Sequence, residues 1–188
     1  MMKKVSFFLL GAAFLASSLA FVAPKNPKAP VTLAVQSDKS RVDFIGSKSS
    51  DFHTGTFTVK GGSVQVEDGK LVGGSFVIDL ANLKVTDAAG EGLAGHLRKP
   101  DFFDVAKFGE ATYVISSVDY SSATACNING TLSIKGVGFP VSFAANIRSA
   151  SEKGLFGQAY FTLDRTLIGI TYPGPSKDVQ IAVHLFAK

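Results

Sequence analysis

The chain is short of the side chains that do chemistry: it has one cysteine, three histidines and no tryptophan in 188 residues. Cys126 stands alone, so no disulfide can form within the chain and stability has to come from a packed core. No cysteine lies near residue 20, which excludes a lipid carried on a mature N-terminal cysteine. His53, His96 and His184 fall in separate stretches without ligand spacing, and HExxH, CxxC and the EF-hand loop are all missing. These absences argue against a metal site. A GxSxG elbow is missing too, so nucleophilic hydrolysis has no nucleophile on a strand-to-helix turn. The glycine pairs in KGGSVQV and LVGGSF interrupt strands instead of opening a helix, which reads as bulges or close backbone approaches and not as a phosphate cradle. No cofactor is implied.

Charge of one sign is also scarce. The formal net charge is +4, and Lys3 and Lys4 account for two of those charges, leaving 4 − 2 = +2 on the part beyond residue 20. That is far from the basic stripe of a nucleic-acid binder, so no nucleic-acid partner is expected. Long apolar runs are limited to residues 5–16, too short for a membrane span of roughly 20 residues.

What is present begins with that run. Two lysines, the apolar stretch and the small residues ending Ser18-Leu19-Ala20 make the three-part pattern of a secretory signal peptide over 1–20, cut near Ala20. The expected product is exported and soluble, not membrane-spanning. The spacer FVAPKNPKAP over 21–30 is too rich in Pro and Lys to bury apolar surface, so the domain is expected over 31–188.

From there the chain alternates apolar and polar residues in runs such as RVDFIGSK, SFVIDL and NINGTLSIKG, broken by Gly, Asn, Asp and Ser. This pattern predicts an all-β antiparallel protein of about eight to ten strands. Hairpin turns are expected at Glu67-Asp68-Gly69-Lys70 and Lys135-Gly136-Val137-Gly138. In SFVIDL the residues Phe76, Ile78 and Leu80 face inward, with Val77 and Asp79 opposite. So many strands form either a two-sheet sandwich or a closed barrel, and eight strands close around a space for one small ligand.

One region breaks the β pattern. Over 87–108 the spacings Leu93/Leu97 and Phe102/Val105/Ala106 predict two short helices meeting at Lys99-Pro100, with Pro100 in a first helical turn. Within HLRKPDFFDV, His96 with Asp101 or Asp104 offers the one candidate for a base with its orienter. The phenylalanine pair reads instead as a plug, with Arg98, Lys99, Asp101 and Asp104 at its edge.

Three stretches carry a family resemblance that extends over nearly all of residues 32–188. The first matches at His96, Leu97, Arg98, Asp101, Phe102, Phe103, Asp104, Val105, Ala111, Thr112 and Tyr113. The second is a strand, glycine turn and Pro-Val strand at Leu132, Ile134, Gly136, Pro140 and Val141. The third matches at Asp164, Arg165, Ile168, Gly169 and Ile170. Together they resemble the YceI-like family of exported lipid-binding proteins, although the tryptophans of some relatives are missing and the loop Tyr172-Pro173-Gly174-Pro175 is short for the family.

The resemblance implies an eight-stranded antiparallel, lipocalin-like β-barrel with a short helical segment packed over it. It further implies a location in the periplasm and a partner that is a long-chain isoprenoid, such as a quinone tail, or a fatty-acid-like lipid. Taking the more apolar phase of each strand, the expected tunnel lining is Phe44, Phe57, Phe76, Ile78, Tyr113, Ile115, Phe143 and Phe161, joined by Phe102 and Phe103 of the crossover. Ligand selection should then rest on tunnel length and on one or two polar groups at the mouth. No residue is assigned a catalytic role. An enzyme or redox accessory using His96 and Asp104, an interaction domain with a solid core, and a homodimer are the alternatives left open.

Overall fold

In a computed structural model, the described residues are 29–188; the leader and most of the spacer lie outside the described residues. Nine strands and one helix follow in the order β1 (Val31–Ala34), β2 (Arg41–Lys48), β3 (Asp51–Glu67), β4 (Lys70–Val85), α1 (Gly90–Leu97), β5 (Glu110–Tyr120), β6 (Ala125–Ile134), β7 (Val137–Ser151), β8 (Gly154–Asp164) and β9 (Asp178–Ala187). Every strand pairing is antiparallel. The strands run β3-β2-β9-β8-β7-β6-β5-β4, and β4 pairs back onto β3, so eight strands close into a barrel.

The ninth strand shares a place in the wall. The first half of β3 pairs with β2, from Asp51 against Lys48 to Thr58 against Arg41, while its second half pairs with β1, from Ser63 against Ala34 to Val66 against Val31. Beyond β1, Val35 bridges to Ala187 of β9. β2 and β1 thus fill the same gap between β3 and β9 at opposite ends of the barrel.

Period-two alternation builds the core. In β6, ACNINGTLSI, the inward positions are Cys126, Ile128, Gly130, Leu132 and Ile134, whereas Asn127, Asn129, Thr131 and Ser133 face out. A spanning barrel would present apolar side chains outward; in β6 the outward face is polar. The glycine pairs sit where the two longest strands bend. Gly62 (φ 135°) and Gly74 (φ 141°) take backbone angles that L side chains rarely adopt. A Cβ on Gly62 would strike the Ser75 carbonyl, and one on Gly74 the Ser63 carbonyl. At this crossing both strands change inward phase, from Phe57 and Val59 to Val64 and Val66 in β3, and from Leu71 to Phe76 in β4.

Two expectations need correction. The hairpin turn of β6–β7 is centred on Lys135 (φ 51°) and Gly136 (φ 77°), so Val137 already belongs to β7. Both central residues have positive φ, as in the Asp68-Gly69 turn, which is the two-residue geometry that matches strand twist. Asp79 stands opposite the cavity-lining Phe76, Ile78 and Leu80, as expected, and is nonetheless buried at 7% exposure. Its carboxylate accepts bonds from the backbone and side-chain N–H groups of Asn82 where β4 bends away from the ladder.

The second predicted helix does not form: after α1, residues 98–107 are turns. Asp104 takes φ 50° and is buried, and its N–H donates to the Lys99 carbonyl five residues back, which a continuing α-helix cannot provide. Asp104 is therefore largely covered by the turns, with its carboxylate 3.6 Å from the exposed Lys107 ammonium. Arg98 does anchor the crossover, donating to the Ala81 and Leu83 carbonyls at the end of β4 and pairing with Glu91.

Candidate functional site

Inward side chains leave a cavity of about 230 Å³ in the end of the barrel that the crossover covers. Its walls come from the inward phase of each barrel strand: Val42 and Phe44 of β2, Phe57 of β3, Phe76 and Ile78 of β4, Tyr113 of β5, Leu132 and Ile134 of β6, Val141 and Phe143 of β7, Phe161 of β8 and Ile181 of β9. Leu93, Leu97, Phe102 and Phe103 of the crossover, and Ile168, Ile170 and Pro175 of the β8–β9 loop, complete the mouth. All the predicted lining residues stand on this wall except Ile115. That side chain faces a separate inner void of about 30 Å³, bounded also by Leu71, Ile128, Ala145, Ile147 and Leu155.

The predicted phases survive because each run keeps its alternation at the level of the cavity. Val114, between Tyr113 and Ile115, is 47% exposed on the outer face and lies under no helix. Phe103 sits edge-on to Phe57, with ring centroids 5.5 Å apart, and Phe57 in turn packs on Phe44 at 5.1 Å. Further in, Phe76, Tyr113, Phe143 and Phe161 form a band of rings with successive centroids 5.6, 5.5 and 4.5 Å apart.

Tyr113 is fixed within that band. Its hydroxyl donates to the Val141 carbonyl at 2.8 Å. To reach it the ring passes over Gly130, where a Cβ would stand 2.5 Å from Cζ. Burial pushes the phenol up to about 12, so it stays neutral across the physiological range.

The titratable side chains on the cavity wall are Lys48, His53, Tyr113 and Arg165. Arg165 is buried at 8% exposure and donates to four carbonyls of the β8–β9 loop, those of Ile170, Tyr172, Pro175 and Ser176. It holds the loop in shape and has little left to offer a ligand. At the rim, Nδ1 of His53 lies 3.4 Å from Oδ1 of Asp87. The backbone N–H groups of Thr54 and Ala89 donate to that carboxylate and hold it below the usual carboxylate range.

His96 does not meet Asp101 or Asp104 in a hydrogen bond. Its ring instead lies edge-on to Phe102 at 5.1 Å and to Tyr172 at 5.3 Å, and Phe102 packs on Tyr172 at 4.8 Å. Three rings from α1, the turns and the β8–β9 loop thus clasp the cover over the barrel end. Sequence reasoning missed the part of Tyr172 and the loop-holding role of Arg165. A signal for the second was available: an arginine that opens a loop rich in Gly and Pro has unpaired carbonyls around it.

Among the described residues no group of three or more His, Cys, Asp or Glu stands close enough to hold a metal, and no helix is long and apolar enough to cross a membrane. What the site can do chemically is bind: it removes apolar surface from water and presents almost no polar group to compete for.

Comparison with known proteins follows the same lines. The sequence pattern described as the YceI-like domain matches residues 33–187. A UPF0312 protein of Pseudomonas fluorescens (strain SBW25) is 33% identical over 86 residues, 43% of this chain and 45% of that protein, so the match spans less than half the length of that relative. Among solved structures, Burkholderia cenocepacia BcnA superposes with a TM-score of 0.70 at 20% identity, covering 82% of this chain and 99% of that one. A polyisoprenoid binding domain from Saccharophagus degradans, implicated in plant cell wall breakdown, gives 0.63 at 17% identity, covering 83% and 97%. At these identities the likeness is one of fold.

Proposed function

The chain belongs to the YceI-like family, and from that premise we propose that it is an exported, periplasmic binding protein whose barrel encloses one long apolar ligand, a polyisoprenoid, isoprenoid quinone or fatty-acid derivative. The observation that carries this reading is the cavity itself, apolar from the aromatic band to the mouth and open beneath a cover of turns and loop. A polyisoprenoid-binding domain on the same fold supports the choice of ligand class, and the signal-like leader supports export.

Each methylene moved from water into such a tunnel gains about 0.8 kcal/mol, so a chain of modest length binds without any hydrogen bond. The polar groups at the rim, His53 and Lys48, are placed to meet the ligand's head. Enclosure of the chain within the barrel supports a carrier or reservoir role.

Organic extraction of protein purified from the periplasmic fraction, followed by mass spectrometry, tests the proposal. The expected result is a long-chain apolar compound in stoichiometric amount. A cavity that is consistently empty, and that takes up no added long-chain lipid, overturns it.

A further inference from the structure

We propose that Tyr113 is the length stop of the tunnel, the residue that sets how long a chain the barrel accepts. The inference rests on the lipid-binding reading above and names the specificity element of that site. Two spaces lie in line along the barrel interior, the outer cavity of about 230 Å³ and the inner void of about 30 Å³. Both are bounded by Phe76, Tyr113, Phe143 and Val183. These four side chains form a partition between the spaces, and Tyr113 spans it, in contact with rings on both sides.

The partition is rigid because Tyr113 is held at three points. Its ring is seated on Gly130, the one inward position of β6 at this level without a side chain. Its hydroxyl is tied to β7 through the Val141 carbonyl at 2.8 Å. Phe76 and Phe143 flank it, and only 3% of the residue is exposed. A swing away would break the bond to the Val141 carbonyl and leave a gap over Gly130, so a ligand chain arriving from the mouth stops against the ring. From Val179 at the mouth to Val183 at the partition the strand rises four residues, about 13 Å, and beyond it lie further apolar side chains that an open tunnel would expose to the ligand.

The test uses a ladder of saturated linear alcohols of increasing length, titrated against delipidated protein and its Tyr113→Phe and Tyr113→Leu variants. For the natural protein, affinity should climb about fourfold per methylene and then level off at one chain length. Tyr113→Phe keeps the ring and should level off at the same length. Tyr113→Leu opens the partition and should carry the climb on to alcohols several carbons longer. If Tyr113→Leu does not fold, Phe143→Leu, which removes the neighbouring ring of the same band, should move the limit in the same direction. An unchanged limit in a folded variant overturns the length stop while leaving lipid binding in place. Natural protein that binds no alcohol of any length overturns the lipid-binding reading, and the length stop with it.

Discussion

Arg165 shows how much one side chain can organise. A buried guanidinium costs free energy unless its donors are matched, and here four backbone carbonyls match them with no carboxylate bonded to it. The loop over 165–177 therefore takes its shape from a cation in its centre. Arg165→Met should leave those carbonyls unpaired and cost about 3 kcal/mol, lowering the melting temperature by roughly 10 °C for a domain of this size. Arg165→Lys should recover only part, since one ammonium cannot reach partners arranged around a planar fork. Thermal melts in which the lysine variant equals the natural protein would contradict this account. That arginine belonged to a matching motif was visible in the sequence; that it serves the loop was signalled only by the Gly- and Pro-rich stretch it opens, because its partners are main-chain groups.

At the scale of elements, the cover over the barrel depends on a carboxylate. Asp87 accepts the N–H groups of Thr54 and Ala89, joining the start of β3 to the segment that enters α1. Those bonds lower its pKa in the folded state, so the stabilisation is present above the ordinary Asp value of about 3.9 and disappears as pH falls through the lower folded value. Asp164, similarly held down by Thr166, adds to the same trend. In melting curves recorded from pH 7 to pH 3, Asp87→Asn should be less stable than the natural protein at pH 7, and the two curves should converge toward acid. A gap that stays constant over the range would show that Asp87 does not act through its charge.

The strands around this cover were legible because alternation and Asp-Gly or Lys-Gly turns are local signals. The crossover was legible only in part: Leu93 and Leu97 do lie on a helix, whereas the apolar spacing after Pro100 imitated a second one. The positive φ at Asp104 decided against it, and that is set by packing against the barrel end.

Taken whole, the molecule has two unlike ends. One is closed by strand pairing and by buried side chains such as Leu33, Val66, Leu71 and Leu185; the other is covered by turns and loop held through one cation and three rings. Hydrogen exchange should follow this division, with fast exchange over 86–109 and 165–177 and slow exchange in β5–β9, and ligand should slow the first group most. Equal protection at both ends would place the entrance elsewhere. The cavity's apolar lining could be listed from strand phase, but its division into two spaces could not, because it depends on a glycine of β6 lying under a tyrosine of β5.

The seam where β2 and β1 meet β9 has a consequence for how the barrel is made. Ser40 bonds to Phe186 across 146 residues of sequence, and β2 finds β9 at a similar remove. Hairpins β3 to β9 can form in succession as the chain emerges, each from near neighbours, but the sheet stays an open ribbon until its final strand arrives. Closing so large a loop is entropically slow, and until it happens the apolar face that will line the tunnel stays exposed. Until β9 joins β2 the chain therefore has strands but no interior, and the tunnel exists only once the ring is closed.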